Sequence, residues 1–461
     1  MSKKDSLEYE PKSAWDVYTS KKDIKAMDQL ADRYVDFLSR CKTERLVMDY
    51  VREKVQKAGF VDDLKAPLAY RFNRNKTCFL ARKGKRPLSE GFRLIGAHAD
   101  CPRLDLKQRP FYEDLDIALA KTHYYGGIRK YQWLTIPLAL HGTVVKKDGT
   151  VVTLCIGEDP GDPVFTVTDL LPHLAYKEVV KKVEDAFEAE KLNLIMGHSP
   201  VQTGKKDDDA IVAPVKRKML ELLNKKYGID EADFLSAEVQ AVPAGPARYV
   251  GLDEAVIGSY GQDDRSSVFC GLEALLEETQ PEYAQIVLFW DKEEIGSDGA
   301  TGAKSLFFEY CMEELLDAWE PGARLSGVMM NGSALSADVS AAMDPDYKDV
   351  YEPLNAARLG YGPCFNKFTG HRGKVGANDA HPDFIGWLRR IFDDAGIPWH
   401  MSELGKVDVG GGGTVAKFLA IYGMDVIDVG VPVLSMHSPF ELAAKADIYA
   451  CTLAFREFLK N

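Results

Sequence analysis

The chain has 461 residues, a formal net charge of −12, 46% apolar residues and 28% charged ones, a balance that excludes a disordered or fibrous architecture. It lacks a long basic block, which argues against a nucleic-acid surface, because such surfaces draw affinity from clustered Lys and Arg. The opening MSKKDSLEYEPKSAWDVY has no apolar signal-peptide core, and no apolar run approaches the roughly 20 residues of a membrane span, so no membrane contact and a cytoplasmic location are expected.

Residues 23–40 and 43–58 carry apolar side chains at helical spacing, Ile24, Met27, Leu30, Tyr34 and Leu38, then Leu46, Tyr50, Val51 and Val55, with Gly59 as a stop. Two short apolar strands follow, TCFLARKG and GFRLIGAHAD, the second running directly into His98 and Asp100. Between about Lys107 and Gly251 the texture changes. HGTVVKKDGTVVTLCIG predicts a hairpin turning at Asp148-Gly149, KEVVKKVEDAFEAEK predicts a charged amphipathic helix, and GKKDDDA reads as a solvated surface loop. This stretch is expected to be an inserted β-rich domain over 108–250, dividing a catalytic domain into 1–107 and 251–461.

Beyond the insertion, apolar strands alternate with helical stretches. SSVFCGLEALLEE predicts a helix and QIVLFWDKEE a strand, followed by SGVMMNGS, DFIGWLRRIFDDAG, TVAKFLAIYG and MDVIDVGVPVLSM. Near-continuous apolar strands separated by helices imply an α/β fold with a mixed, largely parallel sheet covered on both faces. Function in such sheets collects at the carboxyl ends of the strands. The eight cysteines, at 41, 78, 101, 155, 270, 311, 364 and 451, lack C-x-x-C spacing and read as reduced thiols. Cys101 has no neighbouring base to activate it.

Several polar residues punctuate these strand ends: His98, Asp263 and Asp264 in GQDDRSS, the pair Glu293-Glu294 after QIVLFW, Asp338 in SALSADVS, and His437 after VPVLSM. Adjacent ionised carboxylates repel unless a cation or a proton intervenes. Imidazole nitrogen and carboxylate oxygen suit borderline and hard divalent ions, and a metal pair needs about three protein ligands per ion with one carboxylate shared. Two histidines and four acids meet that count. GGGG at 410–413 lacks the pattern of a phosphate loop, so close backbone approach to a peptide substrate is the better expectation.

The motifs GAHAD, QDDR, DKEEIGSDGATGAKS, SADVSAAMDPDY, GGGGTVAKFLA and MHSPFE, in this order, resemble the aspartyl aminopeptidase family of two-metal exopeptidases, and FTGHRGKVGAND is similar to its bacterial branch. The resemblance covers essentially the whole chain. It implies that Asp263 bridges two divalent ions, that His98 and Asp338 hold one, that Glu294 and His437 hold the other, and that Glu293 is the general base. Asp264 and Asp100 are implied to orient these ligands. Zinc is the ion it implies first, with cobalt or manganese compatible with the same donors.

The implied reaction is hydrolysis of the N-terminal residue, Asp or Glu, from short peptides by a metal-bridging water whose proton passes to Glu293. His173 and Lys374 are implied substrate-binding residues, with Lys367 a competitor for the second role. A dodecamer built from dimers, with the insertion forming the dimer contacts, completes the picture. A metal-dependent amidohydrolase of small N-acyl amines and a non-catalytic assembly scaffold stand as the alternatives.

Overall fold

The computed structural model describes residues 7–202, 212–277 and 280–461; the GKKDDDA segment lies outside them. Two compact units form, one from 1–100, 247–436 and 441–461, the other from 101–246 with 437–440. The chain leaves the first unit directly after Asp100, a few residues before the texture change at Lys107, and the second unit includes His437 to Phe440.

The first unit is built on an eight-stranded mixed sheet, ordered Leu68–Asn73, Thr77–Arg82, Ala284–Trp290, Phe92–His98, Ser333–Ser336, Asp425–Gly430, Cys364–Asn366, His400–Met401. The middle four strands run parallel, and Thr77–Arg82 on one side and Cys364–Asn366 on the other join them antiparallel. Every residue of Phe92–His98 and Ala284–Trp290 is buried, because the period-2 alternation serves two cores rather than one. Val287 and Phe289 join one hydrophobic cluster, whereas Ile286, Leu288 and Trp290 join the other. Lys21–Arg40, Glu44–Lys57, Gln262–Glu277, Pro382–Asp394 and Lys445–Lys460 cover the first face, and Phe307–Trp319 and Leu325–Met330 cover the second.

The opening helices begin where their hydroxyl caps place them: Ser20 accepts from the Asp23 N–H at 3.1 Å and Thr43 from the Leu46 N–H at 3.3 Å. SGVMMNGS divides between two elements, since Leu325–Met330 is helical and a strand starts at Ser333. TVAKFLAIYG forms only the short helix Ala416–Ala420. A five-stranded sheet, Arg248–Val250, Val256–Ser259, Glu441–Ala444, Pro432–Leu434 and Ser340–Ala341, completes this unit.

The second unit is an antiparallel six-stranded sheet, ordered Val151–Ile156, Leu138–Val145, Ala237–Pro243, Arg103–Asp114, Ile117–Tyr125, Leu194–Gly197. Its predicted hairpin forms, with Gly149 at φ +87° in the turn and Lys146 bonded to Thr150. The predicted helix over KEVVKKVEDAFEAEK does not. Only Val183–Ala186 makes an α-turn, between 3-10 turns at Ala175–Lys177 and Ala189–Lys191. Val179 and Val180 stand 79% and 83% exposed. An amphipathic stretch gains helical stability chiefly by burying its apolar stripe, and within this unit that stripe is uncovered.

Gly430, the last residue of Asp425–Gly430, lies so close to the loop after Ser333–Ser336 that a Cβ built on it would stand 1.8 Å from the Asp338 carbonyl oxygen. Backbone must therefore shift to admit any side chain. Gly430→Ala is expected to lower stability by about 1–3 kcal/mol in urea titration, and an unchanged unfolding midpoint would contradict this close approach.

A candidate metal centre at the strand ends

His98, Glu293-Glu294 and Asp338 come from the carboxyl ends of three neighbouring parallel strands, whose register aligns Trp290 with His98 and Ser336 with Gly96. Asp263 and Asp264 arrive from the start of Gln262–Glu277, which packs on the same sheet, and the peptide joining them is cis. Donor atoms of His98, Asp263 and Asp338 all lie within 4.8 Å of one another, and an oxygen of Asp263 lies equally near one of Glu294. Asp263 is therefore common to two groups of donors.

The His98 ring is oriented from behind. Its Nδ1 stands 3.0 Å from the Asp100 carbonyl oxygen, which can only accept, so Nδ1 carries the proton and Nε2 turns toward the acids. Nε2 lies 3.2 Å from Asp263 Oδ1 and 3.9 Å from Asp338 Oδ1. Ligand bonds of about 2.0–2.1 Å in a tetrahedron put neighbouring donors about 3.3 Å apart. These separations bracket that value, so the nitrogen and oxygen donors fit a divalent ion such as zinc.

The environment demands such a charge. Burial pushes the Asp338 and Asp264 carboxyls well above the usual carboxylate range, with Asp263 adding to both. Burial alone would lower the pKa of His98, but hydrogen bonds to Asp100 and Asp263 outweigh it and hold the imidazole well above its ordinary value. Without an ion, these groups hold protons more tightly than they would in water.

The loop after Ala284–Trp290 is set by main-chain geometry. Lys292 adopts φ +73°, and this left-handed turn aims two successive N–H groups at Asp100. Glu293 N–H donates to Asp100 Oδ1 at 3.1 Å and Glu294 N–H to Oδ2 at 3.2 Å. Asp100 thus holds His98 through its carbonyl and the glutamate pair through its carboxylate. Asp264 Oδ2 accepts from the His98 backbone N–H at 3.3 Å. Glu441, which the sequence reading passed over, accepts from the Asp263 N–H at 3.1 Å while only 1% exposed. Its position in MHSPFE, four residues after a predicted ligand, was the available signal.

The remaining predicted residues come from other segments of the chain. His437 lies in the segment grouped with the second unit, where its Nδ1 stands 2.8 Å from the Gly127 carbonyl oxygen, which can only accept, so Nδ1 carries the proton. His173 is exposed within the second unit. Lys374 and Lys367 both pair with Asp379, the first at 3.0 Å, so the basic loop carries an internal countercharge. Two of the GGGG glycines approach the chain's own backbone: a Cβ on Gly410 would lie 1.8 Å from Leu404 O, and one on Gly411 2.2 Å from Gly370 O. Packing of neighbouring loops is reason enough for those glycines.

The sequence profile described as "Aminopeptidase I zinc metalloprotease (M18)" matches residues 37–459. A probable M18 family aminopeptidase 1 of Clostridium acetobutylicum is 46% identical over 98% of both chains. The crystal structure of an M18 family aminopeptidase from Thermotoga maritima superposes with a TM-score of 0.91 at 43% identity, covering 98% of this chain and 100% of that one. The Saccharomyces cerevisiae mApe1 dodecamer superposes with a TM-score of 0.75 at 19% identity, covering 95% and 97%, a likeness of fold.

The raised groups give metal binding a definite pH dependence. Asp338, Asp264 and His98 hold protons more tightly in the folded metal-free protein than in the unfolded chain, so the stability they contribute is lost as pH rises through their folded pKa values. An entering ion must displace those protons. Zinc titrated into metal-free protein is therefore expected to release protons, seen as a calorimetric enthalpy that varies with the buffer, and to bind more tightly between about pH 6 and 8. An affinity that falls over this range would contradict the assignment.

Proposed function

The chain belongs to the M18 aminopeptidases, zinc metalloproteases, and from that membership we propose that it removes acidic N-terminal residues from short peptides at a two-ion site. The observation that carries the reading is the shared position of Asp263, within 4.8 Å of donor atoms of His98 and Asp338 in one group and of Glu294 in the other. In it, His98, Asp263 and Asp338 would hold one ion, and Asp263 would share in holding the second with Glu294 and, by the family motif MHSPFE, His437. Bound zinc supplies Lewis acidity, making a water acidic enough to ionise near neutral pH and polarising the scissile carbonyl.

The protein's own part is to orient and to move a proton. Glu293 is held at its backbone N–H by Asp100, which fixes where its carboxylate begins. That carboxylate takes a proton from the attacking water and returns it to the departing amine, the work of a general base positioned before the reaction starts. Asp100 and Asp264 keep the His98 ring and main chain in register while this happens.

Recognition of the substrate is carried by groups outside the ligands. An acidic side chain at the substrate's N-terminus would meet Lys374, aided by Lys367, in competition with Asp379. His173, from a neighbouring subunit, would donate to the developing oxyanion. Both roles accord with a homo-oligomer, a dodecamer built from dimers joined through the inserted unit, in the cytoplasm; the solved mApe1 dodecamer supports the assembly only through a shared fold.

A panel of aminoacyl nitroanilides assayed with zinc-loaded protein tests the specificity. Asp and Glu derivatives are expected to turn over at least about tenfold faster than Leu or Lys ones, the scale of one good charged contact, and N-acetylated peptides to resist cleavage. Equal rates across the panel would refute the acidic preference. Glu293→Gln is expected to lower kcat about 10²–10⁴-fold with zinc content unchanged by atomic absorption; retained turnover would remove Glu293 as the base.

A further inference from the structure

We propose that Lys76 is a positioning residue, a buried cation that fixes the loop bearing Glu293 and Glu294; the inference rests on the roles given to those two glutamates above. Lys76 ends the turn between Leu68–Asn73 and Thr77–Arg82, where Arg74 and Asn75 both take left-handed φ values of +53° and +54° and the Lys76 N–H returns to Asn73 O at 3.0 Å. Such a turn is stiff. It delivers the side chain inward, so that the lysine is only 6% exposed.

Inside, the ammonium meets acids from two other elements. Nζ lies 3.1 Å from Glu44 Oε1 and 4.0 Å from Asp291 Oδ2, and those side chains are 1% and 0% exposed. Asp291 directly precedes Lys292, Glu293 and Glu294. Its Oδ2 also accepts from the Thr301 hydroxyl at 2.7 Å, and its backbone N–H donates to Thr301 O at 3.2 Å, which closes the loop at its base. The Thr77 hydroxyl reaches the same Thr301 carbonyl at 2.5 Å, tying that base to the residue after Lys76.

The charge arithmetic explains why a lysine is needed there. Glu44, Asp291 and Asp100 stand behind the loop, each buried. The Lys292 ammonium, 3.3 Å from Asp291 Oδ2, belongs to a side chain 25% exposed, so solvent screens it. Lys76 is shielded and acts at closer to full strength. Removing it leaves buried carboxylates to repel one another, and the movable member of that set is the loop that begins at Asp291. Asp100 grips the same loop from its far side through the two backbone N–H groups. Lys76 and Asp100 therefore fix the loop from opposite ends.

The test uses the full-length protein as Lys76→Met, Lys76→Arg and the charge-balanced double variant Lys76→Met/Glu44→Gln, which keeps the fold testable if the single change unfolds it. Expected in the double variant is a kcat lowered about 10–100-fold with KM within about twofold, while calorimetric zinc titration of the metal-free protein shows the ion held by Glu294 weakened about 10–100-fold and the other unchanged. Lys76→Arg is expected to recover part of both. A double variant that keeps wild-type kcat and both zinc affinities overturns the proposal, as does equal weakening of both ions, which would mark a general loss of structure. If Glu293→Gln itself leaves kcat intact, the failure belongs to the reading of the site rather than to Lys76.

Discussion

The structure depends on one electrostatic demand: carboxylates gathered in a buried space at the carboxyl edge of a parallel sheet must be neutralised. Asp263 and Asp264 are 3% and 0% exposed, with Asp338 and Glu294 close by. Two charges at such separations, out of water, repel by several kcal/mol at least. Either protons or cations must enter. The same pressure that raises the pKa of His98 and Asp338 in the metal-free protein therefore selects for a divalent ion when one is available.

Holding acids together against their repulsion requires fixed backbones rather than fixed side chains alone. Asp100 accepts from two successive N–H groups, Glu441 accepts from the N–H of Asp263, and Asp264 accepts from that of His98. Each contact sets where an acidic or imidazole side chain of the cluster starts, and each uses a carboxylate whose charge is partly spent on a peptide dipole. The sheet supplies the remaining rigidity. Its strands are buried on both faces, so a strand end cannot drift without disturbing two cores at once.

The errors in reading the sequence share a cause. KEVVKKVEDAFEAEK has helical periodicity, yet periodicity produces a helix only where there is a surface to receive the apolar stripe. SGVMMNGS divides between two elements because Val328 and Met329 are buried in the second hydrophobic cluster from a helix. Gly410 and Gly411 of the GGGG run are crowded by Leu404 and Gly370. In each case the missing information was what lay opposite the segment.

Local chemistry sufficed for much else. Apolar runs of strand length, capped helices and the identity of His98, Asp263, Glu294 and Asp338 as N and O donors near strand ends follow from side-chain type and spacing, because periodicity and propensity act between residues a few positions apart. Which acid does what was decided only on folding. That Asp100 clamps the glutamate loop, that Glu441 supports Asp263, that Lys76 answers Glu44 and Asp291, and that Lys374 is already paired with Asp379 all depend on distances of 2.7–4.0 Å, some of them between residues nearly two hundred positions or more apart in the chain. Coulomb and hydrogen-bond energies fall off with separation in space, and separation in sequence carries no information about them.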